Sequence, residues 1–111
     1  MTYQFSYFEF DGSLDVIRSA IEDRLGFCLS ERDSSYWGGT YFLFDDDTSD
    51  FRLKLNRNID HNGEWLNHEF KGSHVLCSLA GPVEIVSTFV ATMVDAGGRL
   101  LATRIKVVAD E

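Results

Sequence analysis

The start of the chain alternates apolar and polar residues and then changes to a helical spacing. Tyr3, Phe5 and Tyr7 alternate with polar residues, and two more phenylalanines follow before Asp11-Gly12, which predicts an aromatic-rich strand over residues 3–10. Ser13 is a residue type that caps helix N-termini. Apolar residues then recur every three or four positions until Gly26, and this spacing predicts a helix over residues 13–25 (Leu14, Ile17, Ile21 and Leu25).

The middle of the chain has the periodicity of strands joined by turns. Residues 26–38 show no sustained period and are predicted to form a loop that turns at Gly38-Gly39. Residues 40–44 are rich in β-branched and aromatic types, 45–50 supply acidic turn formers, and 51–57 alternate apolar and polar side chains. We therefore expect two antiparallel strands joined by an acidic turn, the second strand with one solvent-facing side.

Asn62-Gly63 predicts a second hairpin, because a type I′ turn needs positive φ at both central residues and this pair tolerates it best. Residues 64–70 are accordingly expected to return as a short strand, and the apolar run 74–79 is expected to form another.

Gly81-Pro82 opens a second helix, since proline suits the first helical position. This helix has a wide apolar stripe, and we expect it to be well buried (Ile85, Val86, Phe89, Val90, Met93 and Val94).

The order of these elements predicts the fold class. A last strand over 101–107, with a basic outer face, follows Gly97-Gly98. The sequence thus predicts a single α+β domain over residues 1–111, in the order β-α-β-β-(β)-β-α-β. Its mostly antiparallel sheet has five or six strands with two helices on one face, a plan related to the ferredoxin-like fold.

Composition and charge narrow the environment and the partners. The 111 residues carry ten Lys and Arg against eighteen Asp and Glu, a formal net charge of −8, and an acidic field of this size repels nucleic acids and anionic membranes. The N-terminus lacks the pattern of a secretory signal, which favours a cytoplasmic location. Cys28 and Cys77 lie in apolar runs and are expected to be reduced core thiols.

Two groups of candidate metal ligands fail their templates. An EF-hand loop beginning at Asp45 needs glycine in its sixth place and glutamate in its twelfth, where this chain has Asp50 and Asn56. The three histidines and Cys77 do not have the paired spacing of a zinc site (His61, His68 and His74). No nucleophile elbow or phosphate-binding loop is present either. We therefore expect no metal, no cofactor and no enzymatic activity.

Acidic residues concentrate in one fifth of the chain. Residues 31–50 contain six carboxylates against Arg32, which amounts to −5 of the net charge. A cluster of one sign speeds association with a cationic surface. Aromatic residues in polar surroundings accompany this cluster, and we expect them either to be buried or to lie at a protein interface (Tyr36, Trp37 and Trp65).

The segment Glu31-Arg-Asp-Ser-Ser-Tyr-Trp-Gly-Gly-Thr-Tyr-Phe42 belongs to a longer pattern, with an acidic turn, an alternating strand ending in Asn56, an acidic stretch over 60–69 and the apolar run 75–79. Over roughly residues 5–105 this pattern resembles small immunity proteins of bacterial contact-dependent growth inhibition and related polymorphic toxin systems. The resemblance implies a cytoplasmic protein that blocks a cognate toxin domain, often a nuclease, by direct binding.

The acidity fits a basic toxin surface, and it defines a set of candidate contacts. One group is expected to steer association (Asp45, Asp46, Asp47 and Asp50), and a second to lie at the other end of strand 51–57 (Asp60, Glu64 and Trp65), with Tyr36 and Trp37 as further candidates. Two alternatives stay open. An ACT-like regulatory domain would bind a small ligand at the Asp11-Gly12-Ser13 turn, and a small enzyme would need a catalytic cleft that no motif marks.

Overall fold

The computed structural model describes residues 1–107. Within that range it confirms the α+β class, with a six-stranded sheet and two α-helices. The strands are β1 (Thr2–Phe10), β2 (Ser30–Ser34), β3 (Gly39–Asp46), β4 (Phe51–Arg57), β5 (Val75–Pro82) and β6 (Arg99–Val107). The α-helices are α1 (Leu14–Leu25) and α2 (Val83–Asp95). Two short 3₁₀ turns lie at Ser35–Trp37 and His68–Phe70.

The sheet has the order β2-β3-β4-β5-β1-β6, and every neighbouring pair in it is antiparallel. β1 lies between β5 and β6. Helix α1 therefore carries the chain from the interior of the sheet to the edge at β2, and α2 carries it from β5 across to the other edge at β6. This placement of β1 inside the β5-α2-β6 unit is the split βαβ arrangement of ferredoxin-like folds.

Both helices pack on one face of the sheet, and the core lies between the two layers. The buried stripe of α1 faces aromatic and aliphatic residues from the inner strands, and α2 adds Val86 and Met93. Phe89 of α2 stacks on Phe51 with ring centroids 4.8 Å apart. The largest fully buried side chains of this layer are Phe8, Phe42, Phe51, Ile21 and Leu53.

Helix α1 begins and ends as its sequence predicts. The Ser13 hydroxyl accepts a hydrogen bond from the Val16 amide at 3.3 Å, which caps one of the free N–H groups of the first turn. Gly26 adopts φ 82° in the left-handed region and donates its amide to the Glu22 carbonyl at 2.9 Å. Helix α2 is less buried than expected, since Val94 is half exposed, and Pro82 precedes its first residue instead of occupying it.

Two predictions for the connecting segments are wrong. Residues 30–34, expected to lie in a loop, form edge strand β2, whose side chains are mostly exposed and so show no apolar period. Residues 64–70, expected to form a strand, contribute only an isolated bridge from Trp65 to Ile59 and one 3₁₀ turn. Backbone pairing with residues 58–60 stops at Leu66, and beyond it the backbone bonds to the Asn58 side chain instead.

The reversal at Asn62-Gly63 occurs, but it is not a type I′ turn. Only Gly63 has positive φ, and its amide donates to the Asp60 carbonyl at 3.1 Å. The Asp60 carboxylate accepts the amides of Asn62 and Glu64, at 2.8 and 3.0 Å, so an Asx-type turn sets this reversal. Cys28 is likewise not a core thiol but exposed, whereas Cys77 is fully buried and contacts the Met93 sulfur at 3.8 Å.

Candidate functional site

The face of the sheet opposite the helices carries an unusual set of side chains. Because side chains alternate between faces, Phe5 and Tyr7 of β1 point away from the helices. Across β5 they lie in line with Ser78 and Ala80, and across β4 with Arg52 and Lys54. We call this surface the open face. It combines aromatic rings with cations, whereas the protein as a whole is acidic.

The long connection between β4 and β5, residues 58–74, folds back over one part of the open face. Asn58 holds it in place and is completely buried. Its side-chain oxygen accepts the Asn67 amide at 2.7 Å, and its side-chain nitrogen donates to the carbonyls of Asn67 and Phe70, at 3.3 and 3.1 Å. The Phe70 ring then packs on Tyr7, with centroids 5.3 Å apart. One asparagine thus substitutes for the ladder that a returning strand would have formed.

A groove of about 380 Å³ lies between this connection, the sheet and the 3₁₀ turn at Ser35–Trp37. This volume is within the range of small-molecule sites and of pockets that take a partner's side chain. Its apolar lining includes Phe5, Tyr7 and Leu76. Its polar lining contains Lys54, Asn56, Asn58, Asn67, His68 and Ser78.

Lys54 is the central charge of the groove. Its amino nitrogen lies 3.1 Å from the centroid of the Trp37 ring, in a cation–π contact. Among residues 1–107 no carboxylate pairs with this ammonium, and it makes no hydrogen bond. Burial lowers the pKa of Lys54 to about 8, and the neighbouring positive charge of Arg52 acts in the same direction. The groove thus holds a partly desolvated cation without a counter-ion.

The predicted aromatic pair forms one wall of the groove. Tyr36 and Trp37 meet edge to face, with centroids 4.7 Å apart, and Tyr36 remains 69% exposed. Gly38 adopts φ 76°, and a Cβ atom at this position would collide with the Ile59 carbonyl. The backbone after Trp37 therefore approaches the 58–74 connection more closely than any residue except glycine permits. Trp37 is half-buried by this arrangement, and Tyr36 stands at the mouth of the groove.

The four predicted steering carboxylates lie in the β3–β4 turn, but they do not have equal freedom. Asp46 accepts the Thr48 amide and the Ser49 hydroxyl, at 3.1 and 2.7 Å, and these bonds hold its pKa below the ordinary value. Asp45 pairs with Arg52 across the strands at 2.7 Å. Asp47 and Asp50 are exposed and make no hydrogen bond or ion pair within the described residues, which leaves them free to meet a partner.

The second predicted group lies at the other end of β4, beyond Arg57. Asp60 uses its carboxylate on its own turn, and the backbone bond from Glu64 is the largest cause of its lowered pKa. Glu64 is exposed. Trp65 is half-buried and packs on His74, with ring centroids 5.3 Å apart. Seven residues of β4 at about 3.3 Å each separate the two acidic groups by roughly 20 Å. They therefore flank the groove and do not form one cluster.

No separate sequence signal marks the residues at the bottom of the groove. Lys54 occupies a polar position of an alternating strand, which indicated a solvent-facing side chain, and Asn56 on the same side is buried. Both are covered by segments distant in sequence. The other cations of the open face near the groove are already paired, Arg52 with Asp45 and Arg104 with Glu69.

A second depression, of about 330 Å³, adjoins the turn between β1 and α1. Gly12, Ser13, Arg57 and His74 line it. The Ser13 hydroxyl is occupied by the helix cap, and Asp11 lies 3.5 Å from Arg99. The polar groups of the turn that an ACT-like site would use are therefore engaged in holding the fold.

Two further observations concern the whole described range. No three His, Cys, Asp or Glu side chains within residues 1–107 come together in a geometry that could hold a metal ion. Neither helix in that range has the length and apolar character needed to cross a bilayer.

Comparison with known proteins adds no relative from which a role can be transferred. No protein-family model matches this sequence, and a search of curated proteins finds no match either. The chemistry of the groove and its acidic flanks is therefore the basis for assigning a function.

Proposed function

We propose that this protein is a cytoplasmic immunity protein, which binds a cognate bacterial toxin domain and blocks its active site without enzymatic activity. The partner is a basic domain, a nuclease being the fitting class, since a nucleic-acid site is cationic. The observation that carries the proposal is the exposed Tyr36 beside the groove, with unpaired carboxylates at both ends of β4. Aromatic side chains at the centre of an interface, with charges around them, are the usual arrangement of a tight protein complex.

The geometry separates steering residues from anchoring residues. Asp47, Asp50 and Glu64 have free carboxylates, so they are the groups suited to attract a cationic surface at long range. Asp46 and Asp60 hold their own turns, which favours a structural role for them. Trp65 is packed on His74, and Tyr36 is the more accessible aromatic anchor.

The test is neutralisation of the C-terminal toxin domain encoded by the neighbouring reading frame. Co-expression should restore growth of cells that produce the toxin, and the two purified proteins should form a stable complex. Tyr36→Ala should speed dissociation by about tenfold or more, the effect of losing one interface hot spot. If the toxin domain kills co-expressing cells and does not bind the protein, the proposal is wrong.

A paired charge variant tests the steering role. Asp47→Asn with Asp50→Asn removes two flanking charges, and asparagine tolerates the positive φ of 60° at position 50. Association at low salt should slow while dissociation stays nearly unchanged. The matched control, Asp23→Asn with Asp95→Asn, removes the same charge from exposed positions on the helices. Equal slowing by both pairs would contradict a specific role for the turn.

The polar groups of the Ser13 turn are engaged, so Arg57 in the adjoining depression is the feature that supports a second candidate function, an ACT-like domain that binds an amino acid. Arg57 is a cation suited to a carboxylate. Titration with the standard amino acids, followed by amide chemical shifts, distinguishes the two. Saturable shifts around Ser13 and His74 that Arg57→Gln abolishes would favour this function over the first.

A further inference from the structure

The groove on the open face contains hydrogen-bond donors for which the described residues provide no acceptor. The Lys54 ammonium has three N–H donors and lies over the Trp37 ring face, and none of the described residues accepts a hydrogen bond from it. Ser78 lies directly across from it in the β4–β5 register and lines the same groove, and its hydroxyl makes no hydrogen bond within residues 1–107. The Asn56 side-chain nitrogen is taken by the Arg57 carbonyl at 2.8 Å.

Within residues 1–107, no carboxylate forms an ion pair with Lys54. Asp45, the nearest acid on the neighbouring strand, is held by Arg52, and Glu69 of the connection is held by Arg104. The Lys54 side chain is nevertheless half-buried, between Trp37 and the connection that Asn58 fixes. A half-buried cation without an ion-pair partner costs some folding free energy, so its position in a formed groove indicates a ligand that supplies the missing charge.

We propose that this groove binds a carboxylate carried on an apolar body, with Lys54 as its ion-pair partner and the Ser78 hydroxyl as a second donor. The apolar wall of Phe5, Tyr7 and Leu76 receives the body of the ligand. A carboxylate fits better than a phosphate, because one lysine balances one negative charge and the net charge of −8 repels dianions.

Two sources supply this chemistry: an acidic side chain of the partner protein and a free small carboxylate. Only the first source rests on the proposed function. A partner with a basic surface and one acidic residue next to an apolar one would match the groove and its acidic flanks together. The experiment therefore uses a small probe first and the partner second.

The first arm titrates the protein with phenylacetate and, in parallel, with its neutral analogue phenylacetamide. Phenylacetate at millimolar concentrations should shift the amide signals of Trp37, Lys54 and Ser78, and phenylacetamide should leave them unchanged. Lys54→Met should abolish the response, and Lys54→Arg should keep it, since a guanidinium also pairs with a carboxylate. Lys106→Met is the matched control, because Lys106 lies on the same face at edge strand β6 and outside the groove.

Two readouts separate a binding role from a structural one. Because burial holds the pKa of Lys54 near 8, phenylacetate affinity should be constant from about pH 6, where the ligand is fully ionised, to just below that pKa, and should fall up to tenfold per pH unit above it. Charged or titratable side chains near Lys54 come from β4, β3, β1, the connection and the 3₁₀ turn (Arg52, Asp45, Tyr41, Tyr7, His68 and Tyr36). His68→Gln, Tyr7→Phe and Tyr36→Phe should leave the midpoint of the pH profile unchanged. Lys54→Met should also raise the midpoint of thermal unfolding, because it removes an uncompensated charge.

The second arm asks whether phenylacetate displaces the toxin domain. Displacement, together with a faster dissociation of the toxin from Lys54→Met, assigns the groove to an acidic side chain of the partner. Phenylacetate binding without displacement assigns it to a free small carboxylate. Equal binding of phenylacetamide, or a Lys54→Met response identical to the unmodified protein, overturns the proposal even where the toxin domain binds. Failure of the toxin to bind overturns only the proposed function.

Discussion

The two faces of the sheet differ in burial and in whether their polar side chains have partners. The helix-covered face contains most of the core, yet in β1 it also buries Gln4 and Ser6. The open face keeps Phe5 and Tyr7 partly accessible beside unpaired Lys54. The two polar side chains that β1 buries on the covered face have partners: the Gln4 side-chain amide donates to the Ser6 hydroxyl at 3.0 Å, and the Ser6 hydroxyl lies 3.2 Å from the Thr103 hydroxyl. Satisfied polar groups build structure, whereas the unsatisfied cation on the other face is available to a ligand.

This difference has a thermodynamic consequence. Removing a side chain from the covered face should lower the free energy of unfolding and leave the side chains of the groove unchanged. Removing one from the groove should damage binding and cost little stability, or even increase it in the case of Lys54. The following changes test this division in order of decreasing expected effect on the free energy of unfolding.

The largest effect is expected from Phe8→Ala, with Tyr7→Ala as its neighbour on the open face. Phe8 has no exposed surface, and its truncation leaves a cavity that should cost about 3–5 kcal/mol. Tyr7 is half-buried and loses mainly its contact with Phe70, so about 1 kcal/mol is expected. Urea unfolding of both variants measures the difference. Equal losses would mean that the open face is as much a core as the covered face.

The next effect is expected from Asn58→Ala, which tests how the open face acquires its groove. The substitution leaves the Asn67 amide without its partner, whereas the carbonyls of Asn67 and Phe70 each lose one bond and keep a backbone amide donor. One part-buried group left unpaired and two weakened ones should cost about 2–3 kcal/mol in total. Amide hydrogen exchange should speed up in residues 58–74 more than in β1 or β5. Uniform acceleration through the whole sheet would contradict a local role for Asn58.

The elements that the sequence predicts well are those whose burial pattern repeats locally. The Ser13 cap, the stripe of α1 and the alternation in β4 are each confirmed, because a single segment carries the full signal. Strand β2 has no recognisable sequence pattern, because an edge strand exposed on both sides needs no apolar period. The prediction of a strand over residues 64–70 is wrong because the Asn58 side chain, nine or more residues earlier, bonds to the backbone at Asn67 and Phe70. The environment of Lys54 depends on Trp37 and the connection at once, and no local window contains all three.

A moderate effect is expected from Ser6→Ala, which tests the polar chain on the covered face. The change leaves the Gln4 side-chain nitrogen without its acceptor and should cost about 1–2 kcal/mol in chemical denaturation. The double variant Gln4→Leu with Ser6→Ala removes both polar groups and should recover most of that loss. A double variant as unstable as the sum of the singles would show that packing, not hydrogen bonding, sets the cost.

The smallest effect is expected at Glu9, where the open face meets the connection. The Ser73 hydroxyl donates to the Glu9 carboxylate, and Arg99 pairs with it. Together these contacts lower the pKa of Glu9 below 4.5, with Ser73 the larger cause. A carboxylate whose pKa is lowered by folding stabilises the native state above its unfolded pKa, and that contribution is lost as the pH falls through the native value.

Glu9→Gln should therefore cost about 0.5 kcal/mol at pH 7, the size of a partly exposed pair. The difference from the unmodified protein should shrink steadily below pH 4.5. Ser73→Ala should reduce the stabilisation that the Glu9 charge provides by more than Arg99→Gln does, because the Ser73 hydroxyl is the stronger influence on the pKa of Glu9. A difference that persists unchanged into acid would mean that Glu9 acts through packing and that its charge does not hold the connection against β1.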